Sequence, residues 1–228
     1  MFKNLVLIGV AMLFATNLFA QKNLIVGNYS VENNLQDKNG NVPNGSMRSV
    51  ADFVIKTNLL YDLTTTMNLG VEFGLSNQFT LDLSGSYNPW EFSDNRKMKL
   101  WMAQPELRWW TCRRFSGHFW GFHIHGGQFN FGGMLPWGFR TGKMFGKIEN
   151  KEILTHRYQG SFVGAGIGYG FHWLLGKRWG LEAEIGFGYT RLFYDKYRCI
   201  KCAKKIDTGS IDFLGPTKAA VSLVYVIK

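Results

Sequence analysis

Glu182 and Glu184 stand two residues apart, and so do His123 and His125. Successive side chains on a β-strand point to opposite faces, so on strands each pair shares one face. Two carboxylates held side by side can divide general-acid and general-base work. Two imidazoles on one strand can ligate a metal ion if a third ligand joins them. No third ligand is near in sequence, and His172 is the histidine that a closed sheet would have to bring across. Cys199 and Cys202 form one isolated Cys-x-x-Cys, a spacing shared by redox sites, zinc sites and tight disulfide rings. Ser84, Ser161 and Ser222 sit in no motif that marks a nucleophile. The reading adopted is therefore structural for all of them: no catalytic residue, no metal ligand and no cofactor is assigned.

The elements that position these residues are strands. In Leu181–Tyr189, Leu181, Ala183, Ile185, Phe187 and Tyr189 fall on one face, and Glu182, Glu184, Gly186 and Gly188 on the other. About eight such segments fill the chain from residue 52 onward. One long stretch, Gln159–Gly176, contains no Asp, Glu, Lys or Arg and passes for a membrane helix by charge alone, but Gly164, Gly166, Gly168 and Gly170 recur at spacing two. Each interior glycine costs a helix about 1 kcal/mol relative to Ala. Spacing two is a strand period.

Strands are expected at about 52–60, 67–75, 78–87, 98–110, 118–130, 160–174, 179–191 and 216–228. Apolar-out, polar-in strands of about ten residues, separated by turns, define a transmembrane β-barrel. The fold class expected is all-β: an eight-stranded antiparallel barrel of the outer-membrane type. Links after strands two, four and six are short. Those after three, five and seven are longer, the last two at about 131–159 and 192–215, while the link after strand one is short for an outer loop. That alternation matches short periplasmic turns and long outer loops.

The start of the chain fits export. Lys3 is the sole charge in the first twenty residues, Leu5–Ala15 is apolar, and Leu18-Phe19-Ala20 precedes Gln21. This reads as a signal peptide over residues 1–20, followed by a flexible periplasmic leader over 21–50 and the barrel over 51–228. Removing Lys3 lowers the formal charge from +10 to +9. An exported chain meets no nucleic acid, so anionic outer-membrane lipid and lipopolysaccharide phosphates are the partners expected for that charge. Aromatic residues, at 16% of the chain, suit two interfacial girdles. Trp109, Trp110, Trp120, Trp173, Trp179 and Tyr225 fall near the expected periplasmic ends, and Tyr87, Trp90, Tyr189, Phe193 and Tyr194 near the outer ends.

An eight-stranded barrel encloses room for side chains or one small ligand. The inward set is read as a polar lumen network of Lys56, Glu72, Asp82, Glu106, Arg108, His123, His125, Glu182, Glu184 and Lys218. Buried charges are costly unless paired, so ion pairs are expected among them. Inward glycines on two neighbouring strands (Gly164, Gly166, Gly168, Gly170, Gly186 and Gly188) leave volume that other side chains or a ligand would fill. Cys112 falls in a periplasmic turn, and Cys199 and Cys202 in the last outer loop, too far apart to bridge. The disulfide expected of an exported chain is Cys199–Cys202. The same loop carries Lys196, Arg198, Lys201, Lys204 and Lys205, a basic outer surface suited to lipopolysaccharide phosphates.

Several pieces together resemble a known family. They are Lys56-Thr-Asn-Leu-Leu-Tyr-Asp62, Tyr87-Asn-Pro-Trp90, Gln104-Pro-Glu106 with Arg108, and Gly117-His-Phe119 followed by His123 and His125. His172-Trp173, Lys177-Arg-Trp179, Tyr194-Asp195, the Cys199/Cys202 pair and Gly215-Pro-Thr-Lys-Ala-Ala220 complete the set. Over about residues 53–228 the chain resembles the Bacteroidota family called domain of unknown function 3575. The resemblance implies a small outer-membrane barrel, with some members encoded beside fimbrial genes, and it carries no catalytic residues. The function expected is a structural or accessory one at the cell surface, in assembly or anchoring of surface fibres. A lipid-modifying enzyme and a small-ligand binder using the lumen are the alternatives.

Overall fold

Alternating segments pair edge to edge, and the pairing runs full circle. The computed structural model describes residues 53–93, 96–133, 143–144, 148–200 and 203–227; residues 1–20 and 21–50, read as signal peptide and leader, lie outside them. The elements are β1 (Phe53–Asn58), α1 (Leu59–Leu63), β2 (Met67–Gly74), β3 (Phe79–Glu91), β4 (Lys97–Trp110) and β5 (Gly117–Gly132). They continue with β6 (Lys143–Met144), β7 (Ile148–Glu149), α2 (Asn150–Thr155), β8 (His156–Leu174), β9 (Trp179–Arg198) and β10 (Lys205–Ile227).

Eight strands close an antiparallel barrel in the order β1-β10-β9-β8-β5-β4-β3-β2, and β2 returns to β1. Closure leaves no unpaired edge. β6 and β7 form a separate two-stranded ribbon between β5 and β8. Among the described residues no helix is long and apolar enough to cross a membrane, which says nothing about strands.

The strand positions agree with the sequence reading at the end of the short turns and differ at the other end. β8 starts at His156 rather than about 160, β9 runs on to Arg198 rather than 191, and β10 starts at Lys205 rather than 216. The expected loop over 192–215 is thus mostly a hairpin, with Lys205 opposite Tyr197. Backbone pairing sustains these strands where both faces turn polar and the alternation fades. The link after β1 holds the one-turn helix α1, whose N-cap Asn58 accepts a hydrogen bond from the Leu60 amide at 3.1 Å.

The wall is inverted relative to a soluble protein. Ile185 is 52% exposed and Ile167 61%, and Leu83, Leu107, Phe122, Ile124, Val163 and Phe187 also face outward. Glu72, Glu106, Arg108, Glu182 and His123 are buried at 1% exposure or less. At the short-turn end Phe79 pairs with Trp109, Trp109 with Trp120 and Trp120 with Tyr169, all exposed aromatics in one row. Trp110 departs from the girdle expected of it. It is 0% exposed and lies inside the barrel, because it stands two residues from Arg108 and shares that residue's inward face.

Candidate functional site: a layered lumen

The lumen holds three layers. At the short-turn end an apolar plug joins Val54, Trp110, Phe115, Phe119, Val224 and Val226. Phe115 reaches it from the β4–β5 turn with a left-handed φ of 61°, a conformation few non-glycine residues adopt. Trp110 packs against Phe119 in a tilted pair at 4.7 Å between ring centroids and donates to Thr80 Oγ1 at 2.9 Å.

Above the plug lies the ionic layer, centred on Arg108. Its Nε bonds Glu106 at 2.6 Å, Nη1 bonds Glu72 at 2.8 Å and Glu182 at 2.9 Å, and Nη2 reaches Glu184 at 2.7 Å and Asp82 at 3.2 Å. The planar guanidinium suits this role because its five donors fan out in one plane. Phe119 lies 4.4 Å from its carbon and covers one face. Lys56 meets Glu72 at 2.8 Å and Asp82 at 2.9 Å, and Lys218 meets Glu106 at 2.7 Å and Glu184 at 3.0 Å. Inward positions of six strands (β1 to β4, β9 and β10) thus bring five carboxylates onto three cations, a formal excess of two negative charges with the histidines neutral. Every one of these charges has at least one partner of opposite sign, although Asp82 Oδ1 and Glu184 Oε1 accept no hydrogen bond, and removal of any cation leaves further charge uncompensated.

The histidine pair tops this layer. His123 Nε2 lies 2.9 Å from Thr217 Oγ1, and His125 Nε2 lies 2.8 Å from Thr190 Oγ1. Thr217 is inward because β10 carries a bulge between Pro216 and Lys218, which turns Thr217 and Lys218 both into the lumen. The residues missed by the sequence reading are Thr80, Thr190 and Thr217. Their parity was readable for Thr80 and Thr190, but the bulge was signalled only by Pro216. His172 sits far from the pair: it lies opposite Gly117, whereas His123 lies opposite Gly166. Six steps of pairing amount to roughly 20 Å along the strand. Among the described residues no group of three or more His, Cys, Asp or Glu is arranged to hold a metal ion.

The inward glycines leave no vacant space. A Cβ at Gly166 would lie 2.7 Å from His123 Nε2, one at Gly164 2.5 Å from His125 Nε2, one at Gly168 2.7 Å from Glu184, and one at Gly170 2.3 Å from Phe119. The glycines on β8 thus make room for the large side chains of β5 and β9.

The vacant space lies higher, between the histidines and the long-strand end. A cavity of about 400 Å³ is bounded by Leu100, Phe129, Phe162, Leu192 and Ile211 on the wall, with Tyr61 of α1 and Ile153 of α2 beside it. His125, Thr190 and Thr217 bound it from the ionic side. α2 is tied down by Glu152, which accepts from Tyr158 Oη at 2.9 Å and Lys196 Nζ at 3.3 Å. Those two bonds hold the Glu152 carboxyl below its ordinary value, that from Tyr158 contributing most.

Of the residues assigned to a basic loop, Lys196 and Arg198 end β9, Lys205 begins β10, and Lys204 is exposed between them. Lys205 pairs with Asp195 at 3.4 Å. Lys201 and Cys202 lie outside the described residues, and with them the Cys199–Cys202 pairing. Cys112 is exposed in the β4–β5 turn, and Cys199 is half-buried just past β9.

Thr217, His123 and Glu106 stand in the order hydroxyl, imidazole, carboxylate that acyl-transfer triads use. Here Glu106 Oε2 is 3.5 Å from His123 Nδ1 and is already bonded to Lys218 at 2.7 Å. The carboxylate serves the ion network first, and the imidazole is left without a close orienting partner. A closed eight-stranded β-barrel with a charge-filled lumen is the class that fold and site define. The chain matches the family described as protein of unknown function DUF3575 over residues 18–227, and it belongs to that family. No curated protein and no solved structure matches it.

Proposed function

We propose that this chain is an outer-membrane β-barrel with a structural or accessory role at the cell surface, and that it is not an enzyme. The observation that carries the reading is the inverted wall, with aliphatic and aromatic side chains outside and paired charges inside. Apolar surface on that scale marks a partner or a membrane. A closed barrel is the one sheet architecture whose backbone groups are all satisfied in lipid.

The dimensions agree. On β9 the outward residues are apolar from Leu181 to Tyr189, and Arg191 and Asp212 of β10 pair outward at 3.8 Å just beyond. Eight steps of about 3.3 Å, tilted by about 40°, give a band roughly 20 Å tall, against about 25 Å for barrels of this kind. A membrane-crossing strand needs about 9–11 residues. β9 has 20 and β10 has 23, so about half of each would stand clear of the bilayer. That projecting hairpin, with Arg198, Lys204 and Lys205 at its tip, is the surface offered to lipopolysaccharide or to a surface fibre. Fractionation tests the reading. The mature protein is expected in the outer membrane with heat-modifiable gel mobility, and recovery as a soluble periplasmic protein would overturn it.

A further inference from the structure

We propose that the cavity above the histidine pair is a binding chamber for an uncharged, mainly apolar molecule with one hydrogen-bonding group, a long-chain alcohol or its chemical equivalent. The proposal goes beyond the membrane reading and does not depend on it, because the chamber is lined by the inner faces of the strands together with Tyr61 and Ile153, whatever lies outside the barrel.

Size and lining come first. At about 400 Å³ the cavity falls in the range of small-molecule sites. Apolar cavities of only ~150 Å³ stay dry and take up apolar guests. Leu100, Phe129, Phe162, Leu192 and Ile211 supply carbon surface from five strands. This surface is not the glycine space, which His123, His125, Glu184 and Phe119 occupy.

The polar end is at the floor. His125 is 5% exposed; its Nε2 is engaged with Thr190, and its Nδ1 has no hydrogen-bond partner. That Nδ1 atom is itself sealed off, so the polar contact offered to a guest is the pair of threonine hydroxyls that the two histidines engage. Thr190 and Thr217 bring hydroxyls to the same floor. A hydroxyl or amide can donate to or accept from this set.

Charge decides between ligand classes. Beneath the floor, five carboxylates outnumber Lys56, Arg108 and Lys218 by two. A carboxylate or phosphate brought to His125 would add to that excess in a site with little water to screen it. A neutral group meets no such penalty. The wall is therefore selective for apolar character and the floor against anions.

The test uses the full mature protein carrying 13C-labelled isoleucine methyl groups, in whichever medium it folds, and two probes at pH 8: decan-1-ol and decanoate. Ile153 and Ile211 bound the cavity, whereas Ile185 faces outward and reports general partitioning. Decan-1-ol is expected to shift the Ile153 and Ile211 resonances saturably and to leave Ile185 unsaturated. Decanoate is expected to bind at least about tenfold more weakly, a difference of about 1.4 kcal/mol. Leu192→Trp fills the cavity and should abolish the saturable shift, and Met102→Trp does the same from β4 should the first variant not fold. The proposal fails if Ile153 and Ile211 respond no differently from Ile185. It fails equally if decanoate binds as well as the alcohol, or if saturable binding survives a folded filling variant.

Discussion

Replacing Arg108 by Leu should be the most damaging single change in the lumen. The guanidinium makes five contacts of 3.2 Å or less with five carboxylates, and the side chain is 1% exposed. Hydrogen bonds to charged groups contribute about 1.5–3 kcal/mol each. Five would sum to roughly 7–15 kcal/mol, but contacts sharing one group are not additive. Lys56 and Lys218 would remain to hold some of the carboxylates, and water can enter. Breaking a buried pair from one side costs about 3–5 kcal/mol, and that is the loss expected here. Arg108→Lys keeps the charge but cannot reach both Glu106 and Glu182, so it should fall between the parent and Arg108→Leu. Adding Glu182→Gln to Arg108→Leu removes one stranded charge and should recover about 0.5–3 kcal/mol. The assay is reversible urea unfolding from lipid vesicles at pH 8. A loss under 1 kcal/mol for Arg108→Leu, or no recovery in the double variant, would mean that the lumen is wet enough to screen its charges.

Three further changes probe other layers. Ile185→Lys puts a charge on the outward face at the middle of the apolar band and should cost about 2–4 kcal/mol in the same unfolding assay. Gly166→Val would drive a side chain against His123, the Phe187 carbonyl and Thr217, at 2.6–2.8 Å from the new Cβ. It should destabilise by about 1–3 kcal/mol, while Gly176→Ala, with nothing within 4 Å, should be nearly neutral. Glu152 has its carboxyl held low by Tyr158 and Lys196, so the tether of α2 is complete at neutral pH and lost as pH falls through the lowered value. Protection of the amides over residues 150–155, relative to intrinsic exchange at each pH, should fall in acid, and Glu152→Gln should lack that protection at every pH; protection independent of pH in the parent would refute the tether.

Period-two alternation made the wall legible wherever one face is apolar and the other polar, as on β9 from Leu181 to Tyr189. The ten lumen residues followed from the same parity, and each is buried. Parity also demanded that Trp110 join Arg108 inside, yet girdle expectations for tryptophan pulled it outward. Strand ends were underestimated where charge spreads to both faces, as at Asp195, Lys196 and Arg198, because no in–out contrast remains there. Pairing between β9 and β10, a property of two distant segments, sets those ends. The bulge that turns Thr217 inward shifts register by one residue, and a strict period of two cannot anticipate it. The inward glycines were legible as a set, but their meaning was not: the side chains that fill them come from β5 and β9, and only the register brings His123 to Gly166.

The membrane reading is tested most directly by a depth profile of the wall. Single nitroxide labels at outward positions 181, 183, 185, 187, 189, 191 and 193 of a cysteine-free variant, reconstituted in bilayers, would report collision with oxygen and with a water-soluble nickel chelate. Oxygen accessibility should peak near residue 185 and fall toward both ends. The nickel chelate should be excluded there and should become accessible from residue 191 onward, where the Arg191–Asp212 pair stands. Uniform access of the nickel chelate along residues 181–189 would contradict the membrane assignment of the wall.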